Sequence, residues 1–171
     1  MEDLFKIEKI DGKGLGWIAL RDIKAGTLIC KEKSSFVTNF PSPRIPWEEQ
    51  GIPFSHLFPM VMDAFFAMSK NARKEFLELH NAYLDLNSFP NDVKKRFLNL
   101  KQQIQCQNQY DHDLLLKIIG IYQTNMFENC IGVKTSRINH SCCGNTYIYV
   151  QRIDPEKMTN EMETRATSKI R

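Results

Sequence analysis

The densest run of reactive side chains is Ser136-Arg137-Ile138-Asn139-His140-Ser141-Cys142-Cys143, closed by Gly144-Asn145. An Asn, a His, a Ser and two thiols could bind a metal, supply a nucleophile, or hold backbone in a polar turn. Zinc takes about four ligands, with paired cysteines usually spaced rather than adjacent. Cys142 and Cys143 are neighbours, and His140 is the only histidine nearby, so the run does not complete a zinc site by itself. A Cys-His nucleophile pair needs the two side chains to meet in space, which adjacency along the chain does not provide. A polar turn, with Asn139 and His140 bonded to backbone, stays open on the residues alone.

A second candidate lies near the start, in Asp11-Gly12-Lys13-Gly14-Leu15-Gly16-Trp17. Glycines at alternate positions fit a hairpin turn, or a loop whose bare backbone closes on a ligand. A phosphate-binding Walker loop needs Gly-Lys-Ser/Thr leading into a helix, and Lys13 is followed by Gly14. A dinucleotide fingerprint also needs a helix after its glycines, whereas Trp17-Ile18-Ala19-Leu20 reads as a strand. Both nucleotide readings are excluded. A strand-loop-strand remains, with Trp17 beside the glycines.

The elements that must position these residues follow from apolar period. Residues 4–33 read as strands, "LFKIEKI", "GWIALRDI" and "TLICKE", with a turn at Lys24-Ala25-Gly26 that uses Gly26 at positive φ. Residues 39–59 carry Pro41, Pro43, Pro46, Pro53 and Pro59 and read as an irregular excursion. From Met60 the period becomes helical: "MVMDAFFAMSKNARKEFLELHNAYLDL" predicts a helix burying Phe65, Met68, Phe76 and Leu79. A second helix is predicted after Asn91 as N-cap, with Val93, Phe97, Leu98 and Ile104 as its buried stripe. A third, "DHDLLLKIIGIYQTNMF", has Asp111 or Asp113 near its positive end. His80 and His112 read as helix residues rather than ligands, and Phe65, Phe66 and Met68 as core. Beyond Ile131 the period returns to two, in "TYIYVQRI" and "EMETRATSKI". The prediction is an α+β fold of short, mostly antiparallel strands split by a helical insert at about 60–127.

Composition bounds the function. The 171 residues, 42% hydrophobic and 25% charged, suit one folded domain with a real core. A net charge of +3, with Lys and Arg scattered, predicts no direct nucleic-acid surface. No apolar run approaches the ~18 residues of a membrane span, so no membrane partner is expected. The acidic start "MEDLFKIEKI" lacks a signal-peptide core, and five unpatterned cysteines do not make a disulfide framework. A reduced, intracellular protein is the expectation, which leaves the Asn139-His140-Ser141 sequon unused.

Together, "DGKGLGWIALRDIKAGTLICKE" and "SRINHSCCGN", in this order around a helical insert, resemble the SET domain of protein-lysine methyltransferases. The likeness is greatest to the insert-bearing, SET-and-MYND class, without the MYND zinc finger. It implies one SET-like domain over 1–171, with N-terminal strands at 4–33, a mostly helical insert at 34–130, and pseudoknot segment and C-terminal strands at 131–171. It implies S-adenosylmethionine as cofactor, with Lys13, Gly14, Leu15, Gly16 and Trp17 lining one wall of its pocket. Asn139 and His140 would hydrogen-bond the cofactor, joined by Ser136, by Asn125 of an Asn-x-Phe element and by Asn81 of "LELHN".

The implied reaction is in-line transfer of a sulfonium methyl to a neutral lysine amine of a protein, histone or non-histone, in nucleus or cytoplasm. The alternative is a non-catalytic SET-like module that binds cofactor or peptide. In the family, "ETRATSKIR" would lead through an Ala-Gly-Glu-Glu turn to a catalytic Tyr. That Tyr is expected beyond Arg171, so the chain is expected to be C-terminally truncated and poorly active as it stands. Cys142 would bind zinc only with later cysteines of a longer form.

Overall fold

The computed structural model describes residues 3–38, 57–83, 111–128, 130–139, 143–154 and 159–170, with single residues 87, 91, 94, 95 and 98. The chain divides into two compact units, Met1–Val37 with Cys130–Arg171, and Thr38–Asn129. The first is β-rich and carries the glycine turn and the segment leading to Asn139. The second carries the helices. The fold is α+β, with every described strand pair antiparallel.

In the first unit β1 (Phe5–Ile10) pairs with β2 (Gly14–Ala19), placing Glu8 opposite Gly16 and Ile7 opposite Trp17. The turn between them uses Gly12 at φ 67° and Gly14 at φ 71°, conformations that cost a Cβ-bearing residue free energy. β3 (Leu28–Lys33) pairs with β7 (Thr159–Ala166), which pairs with β6 (Thr146–Asp154). Gly26, at φ 81°, makes the predicted turn before β3, and its N–H donates to Ala166 O over 2.8 Å. Ile23 and Ile170 exchange both backbone hydrogen bonds. A short pair that periodicity missed joins β4 (Phe36–Val37) to β5 (Cys130–Ile131). Two residues are too few to carry a period.

The sheet β3-β7-β6 is sorted by alternation. Cys30 and Glu32 of β3 and Asn160, Met162, Thr164 and Ala166 of β7 lie on the covered phase. Lys31, Glu161, Glu163 and Arg165 lie on the other phase, where Lys31 reaches Glu161 at 2.5 Å and Glu163 at 3.4 Å. Arg165 reaches Glu163 at 2.9 Å.

In the second unit α1 spans Leu57–Ala67, α2 Lys70–Leu77 and α3 His112–Asn125, and α1 and α2 both pack on α3. The long helix predicted from Met60 is therefore two. Ser69 is the reason: it leaves the helical region at ψ 158° and its Oγ accepts the Ala72 N–H, capping α2 afresh. Pro59 is tolerated because it falls in the first turn of α1, where N–H groups lack partners anyway. Phe65, Met68, Phe76 and Leu79 are buried as predicted, with Phe65 edge-on to Phe76, while Phe66 is exposed. Leu79 and His80 lie beyond the end of α2 rather than in a continuing helix, and His80 is exposed. Asp111 is the N-cap of α3, accepting the Asp113 N–H over 3.0 Å.

Around the second predicted helix, Asn91, Lys94, Lys95 and Leu98 are helical. Two expectations there are corrected: Asn91 is itself helical rather than a cap, and Leu98, assigned to the buried stripe, is 40% exposed. Val93, Phe97 and Ile104 lie outside the described residues.

The Lys31–Glu163–Arg165 ladder makes stability pH-dependent in a definite sense. Arg165 first, and then Lys31, hold the Glu163 carboxyl below the usual carboxylate range, and Glu161 raises Lys31 above the usual lysine range. A lowered acid stabilises the fold above its ordinary pKa and loses that effect as pH falls; a raised base stabilises below its ordinary pKa and loses that effect as pH rises. Thermal melts of Glu163→Gln should therefore lie below wild type at about pH 7, with the gap closing as pH falls below the ordinary carboxylate range and through the lowered folded-state pKa. A deficit that persists unchanged at the acid end would show that Glu163 acts through packing.

Candidate functional site

Two chain segments meet in the β-rich unit. The first is the β1–β2 hairpin, closed by the Lys13 N–H donating to Ile10 O over 3.0 Å. Trp17 lies diagonally across from Phe5, and their rings stack at 3.8 Å between centroids and 13° between planes, which fixes the indole.

The second segment begins at β5 and passes through Gly132 into a 3-10 turn, Thr135–Arg137. Ser136 N–H donates to Gly132 O over 2.8 Å, and Arg137 N–H donates to Lys134 O over 3.0 Å. The Glu32 carboxylate receives the opening of this turn: Lys134 N–H donates to Oε2 over 3.1 Å and Thr135 N–H to Oε1 over 2.6 Å. The carboxylate lies where a side chain on Gly132 would stand, since a Cβ there would collide with Glu32 Oε1 and lie 2.7 Å from Met162 Sδ. On the other side of the same peptide, Trp17 Nε1–H donates to Lys134 O over 2.8 Å.

That double grip delivers Asn139. Its side-chain amide lies directly against Gly16: a Cβ on Gly16 would collide with Asn139 Nδ2 and come within 2.6 Å of Ile10 Cδ1. Asn139 Nδ2 is buried and has no hydrogen-bond partner among the described residues. An amide N–H2 held out of water with its donors unspent is costly, roughly 1–3 kcal/mol, and it is a ready donor for an acceptor brought from outside.

The predicted site residues thus fall into four groups. Gly16, Trp17, Ser136 and Asn139 lie on the two meeting segments, with Gly16 buried and the other three partly buried. Lys13, Gly14 and Leu15 are on the exposed part of the hairpin. His140 and Cys142 lie outside the described residues. Asn81 and Asn125 belong to the helical unit. There Asn81 Oδ1 accepts the Tyr83 N–H over 2.9 Å, its side chain packing where a Cβ on Gly120 would stand. Asn125 Nδ2 donates to His80 O over 2.7 Å and to Ile121 O over 2.8 Å, tying the end of α3 to the segment after α2.

Among the described residues, no group of three or more His, Cys, Asp or Glu could hold a metal. The Cys30 thiol is pushed up by burial and then by the Glu32 charge, with Lys134 opposing, so it stays protonated and unreactive. Among the described residues, then, the site offers hydrogen-bond donors, a bare backbone and an aromatic edge.

Comparison with known proteins fits this geometry. Residues 14–171 match the family model described as SET domain. The chain belongs to the SET domain family. A SET domain-containing protein of Acanthamoeba polyphaga mimivirus is 28% identical over 146 residues, covering 80% of this chain and 53% of that protein. The chain therefore spans about half the length of the curated relative it matches.

The sequence reading missed Glu32, Gly132 and Lys134, which hold this SET segment in place. A signal was present: Glu32 follows Cys30 on the covered phase of a strand, and a carboxylate there needs donors. Nothing local indicated that the donors lie 102 and 103 residues away.

The contact of Gly16 with Asn139 yields a test. The obstructing groups are side-chain ends of Asn139 and Ile10, so Gly16→Ala should still fold, with a stability loss of about 1–3 kcal/mol. Its effect should be to expel the Asn139 amide, read as a shift of the Asn139 side-chain N–H2 resonances. Resonances unmoved in the folded variant would refute the contact.

Proposed function

We propose that this SET domain belongs to an S-adenosylmethionine-dependent protein-lysine N-methyltransferase of the insert-bearing, SET-and-MYND-like class. One observation carries the reading: the buried amide donor of Asn139, unspent among the described residues and set against the Cβ-less Gly16. S-adenosylmethionine has an amino-acid carboxylate and an adenine, both rich in acceptors, so the residues present fit it. Membership of the SET family, whose members generally methylate protein lysines, supports the same reading.

When bound, the cofactor supplies a methyl group activated by a sulfonium centre. Asn139 donates from Nδ2, and His140 joins it as the next residue of the segment. Gly14, Leu15, Gly16 and Trp17 form the facing wall with Lys13 at its rim. Gly16 keeps that wall flat, and Trp17 is held by its stack on Phe5. Ser136, on the 3-10 turn, sits three residues before Asn139 in the same segment. These residues bind and orient; holding reactants in a fixed attack geometry is the larger part of a direct transfer between two bound groups. The substrate is a protein presenting a lysine, whose amine must shed its proton before it can attack.

Isothermal calorimetry with S-adenosylmethionine and with its demethylated product tests the reading. Wild type should bind both, and Asn139→Ala should weaken binding by a factor of roughly 5–150, the equivalent of 1–3 kcal/mol. Transfer of labelled methyl groups to lysines in a mixed protein substrate, abolished by Asn139→Ala, would establish the reaction. Wild-type binding unaffected by Asn139→Ala would remove the assignment of the site.

A further inference from the structure

The Glu32 carboxylate bonds the backbone of Lys134 and Thr135, not the proposed wall itself, and through that backbone it bears on the wall. Its carboxylate accepts the N–H groups of Lys134 and Thr135, and the Lys134 carbonyl accepts both the Trp17 indole and the Arg137 N–H. One peptide unit is thus held from its donor side by β3 and from its acceptor side by β2. From that unit the chain runs five residues to Asn139, partly within the 3-10 turn the carboxylate opens. Gly132 leaves room for the carboxylate, which a Cβ would displace.

We propose that Glu32 is a positioning residue of this SET domain. Through the Lys134 peptide it sets both the Trp17 indole and the Asn139 amide at Gly16. It acts on cofactor binding through backbone, without touching the cofactor. The proposal rests on the cofactor reading above, and the test separates the two.

Three variants isolate the effect. Glu32→Ala removes both acceptors. Glu32→Gln keeps the shape and one acceptor oxygen but turns an N–H2 toward the second donor. Trp17→Phe keeps a ring for Phe5 and removes only the indole donor. The indole Nε1–H resonance of Trp17 is the readout that a purely structural role would leave alone, and Trp47→Phe assigns it, since the chain has two tryptophans. In folded Glu32→Gln the Trp17 indole proton should shift and exchange faster with solvent. Calorimetric affinity for S-adenosylmethionine should fall at least about tenfold in Glu32→Ala and by less in Glu32→Gln, a partial rescue by the near-isosteric side chain. Trp17→Phe combined with Glu32→Ala should lose less than the sum of the two, because both act on one peptide.

A folded Glu32→Gln with an unmoved indole proton, or a folded Glu32→Ala that binds cofactor like wild type, overturns the proposal. If Glu32→Ala does not fold, Glu32→Gln decides alone. If wild type binds no S-adenosylmethionine, the cofactor reading falls, and the indole proton still decides whether Glu32 positions this segment.

Discussion

The grip on the Lys134 peptide is the interaction from which the rest of the β-rich unit takes its order. Trp17, Glu32 and Lys134 come from three separate stretches, the first and the last 117 positions apart. A carboxylate accepting two backbone N–H groups makes charge-assisted bonds, roughly twice as strong as neutral ones. The 2.6 Å approach to the Thr135 N–H is of that kind. Both sides act on the same peptide, so removing one loosens the other and the two couple.

The same carboxylate explains why the covered phase of the sheet departs from a plain apolar pattern. β7 carries Asn160 and Thr164 beside Met162 and Ala166, all buried. The Asn160 carbonyl accepts both Ser34 N–H and Ser34 Oγ–H, which ties the end of β3 to β7. Around Glu32 the unit spends buried polar groups on register and turn placement rather than on area. The opposite phase is simpler: its alternating Lys, Glu and Arg are solvated pairs, whose individual contributions are small.

What was legible in the sequence was whatever has a local cause. Strand alternation gave β1, β2, β3, β6 and β7, because side chains on a pleat alternate whatever the partner strand is. Gly26 could be assigned positive φ because a tight turn there leaves little choice. The break at Ser69 was in principle visible, since Ser is a good N-cap, but the apolar period runs on through it and masks the boundary. Leu98 fits a helical stripe in sequence and is 40% exposed in the fold, because a stripe fixes a face and says nothing of what covers it. The two-residue β4–β5 pair and the Glu32 contacts arise only when distant segments meet. The motifs singled out Asn139 and Gly16 separately; their direct contact is a product of the fold.

Asn139 and Asn125 show why residue type alone could not assign a role. Both stood out by motif, and each carries the same amide. Asn125 Nδ2 is spent twice on backbone carbonyls, one on its own helix and one at His80, which is how a buried Asn stabilises a helix end. Asn139 Nδ2 is spent on nothing among the described residues, although it is buried against a glycine. Evolution toward stability alone would have paired that donor or replaced it with an apolar side chain, since an unpaired buried amide costs about 1–3 kcal/mol. Local costs of this kind concentrate where a surface is shaped for a group that arrives later. The grip of Glu32 and Trp17 holds the backbone of this segment in place, and with it keeps the Asn139 side chain beside Gly16.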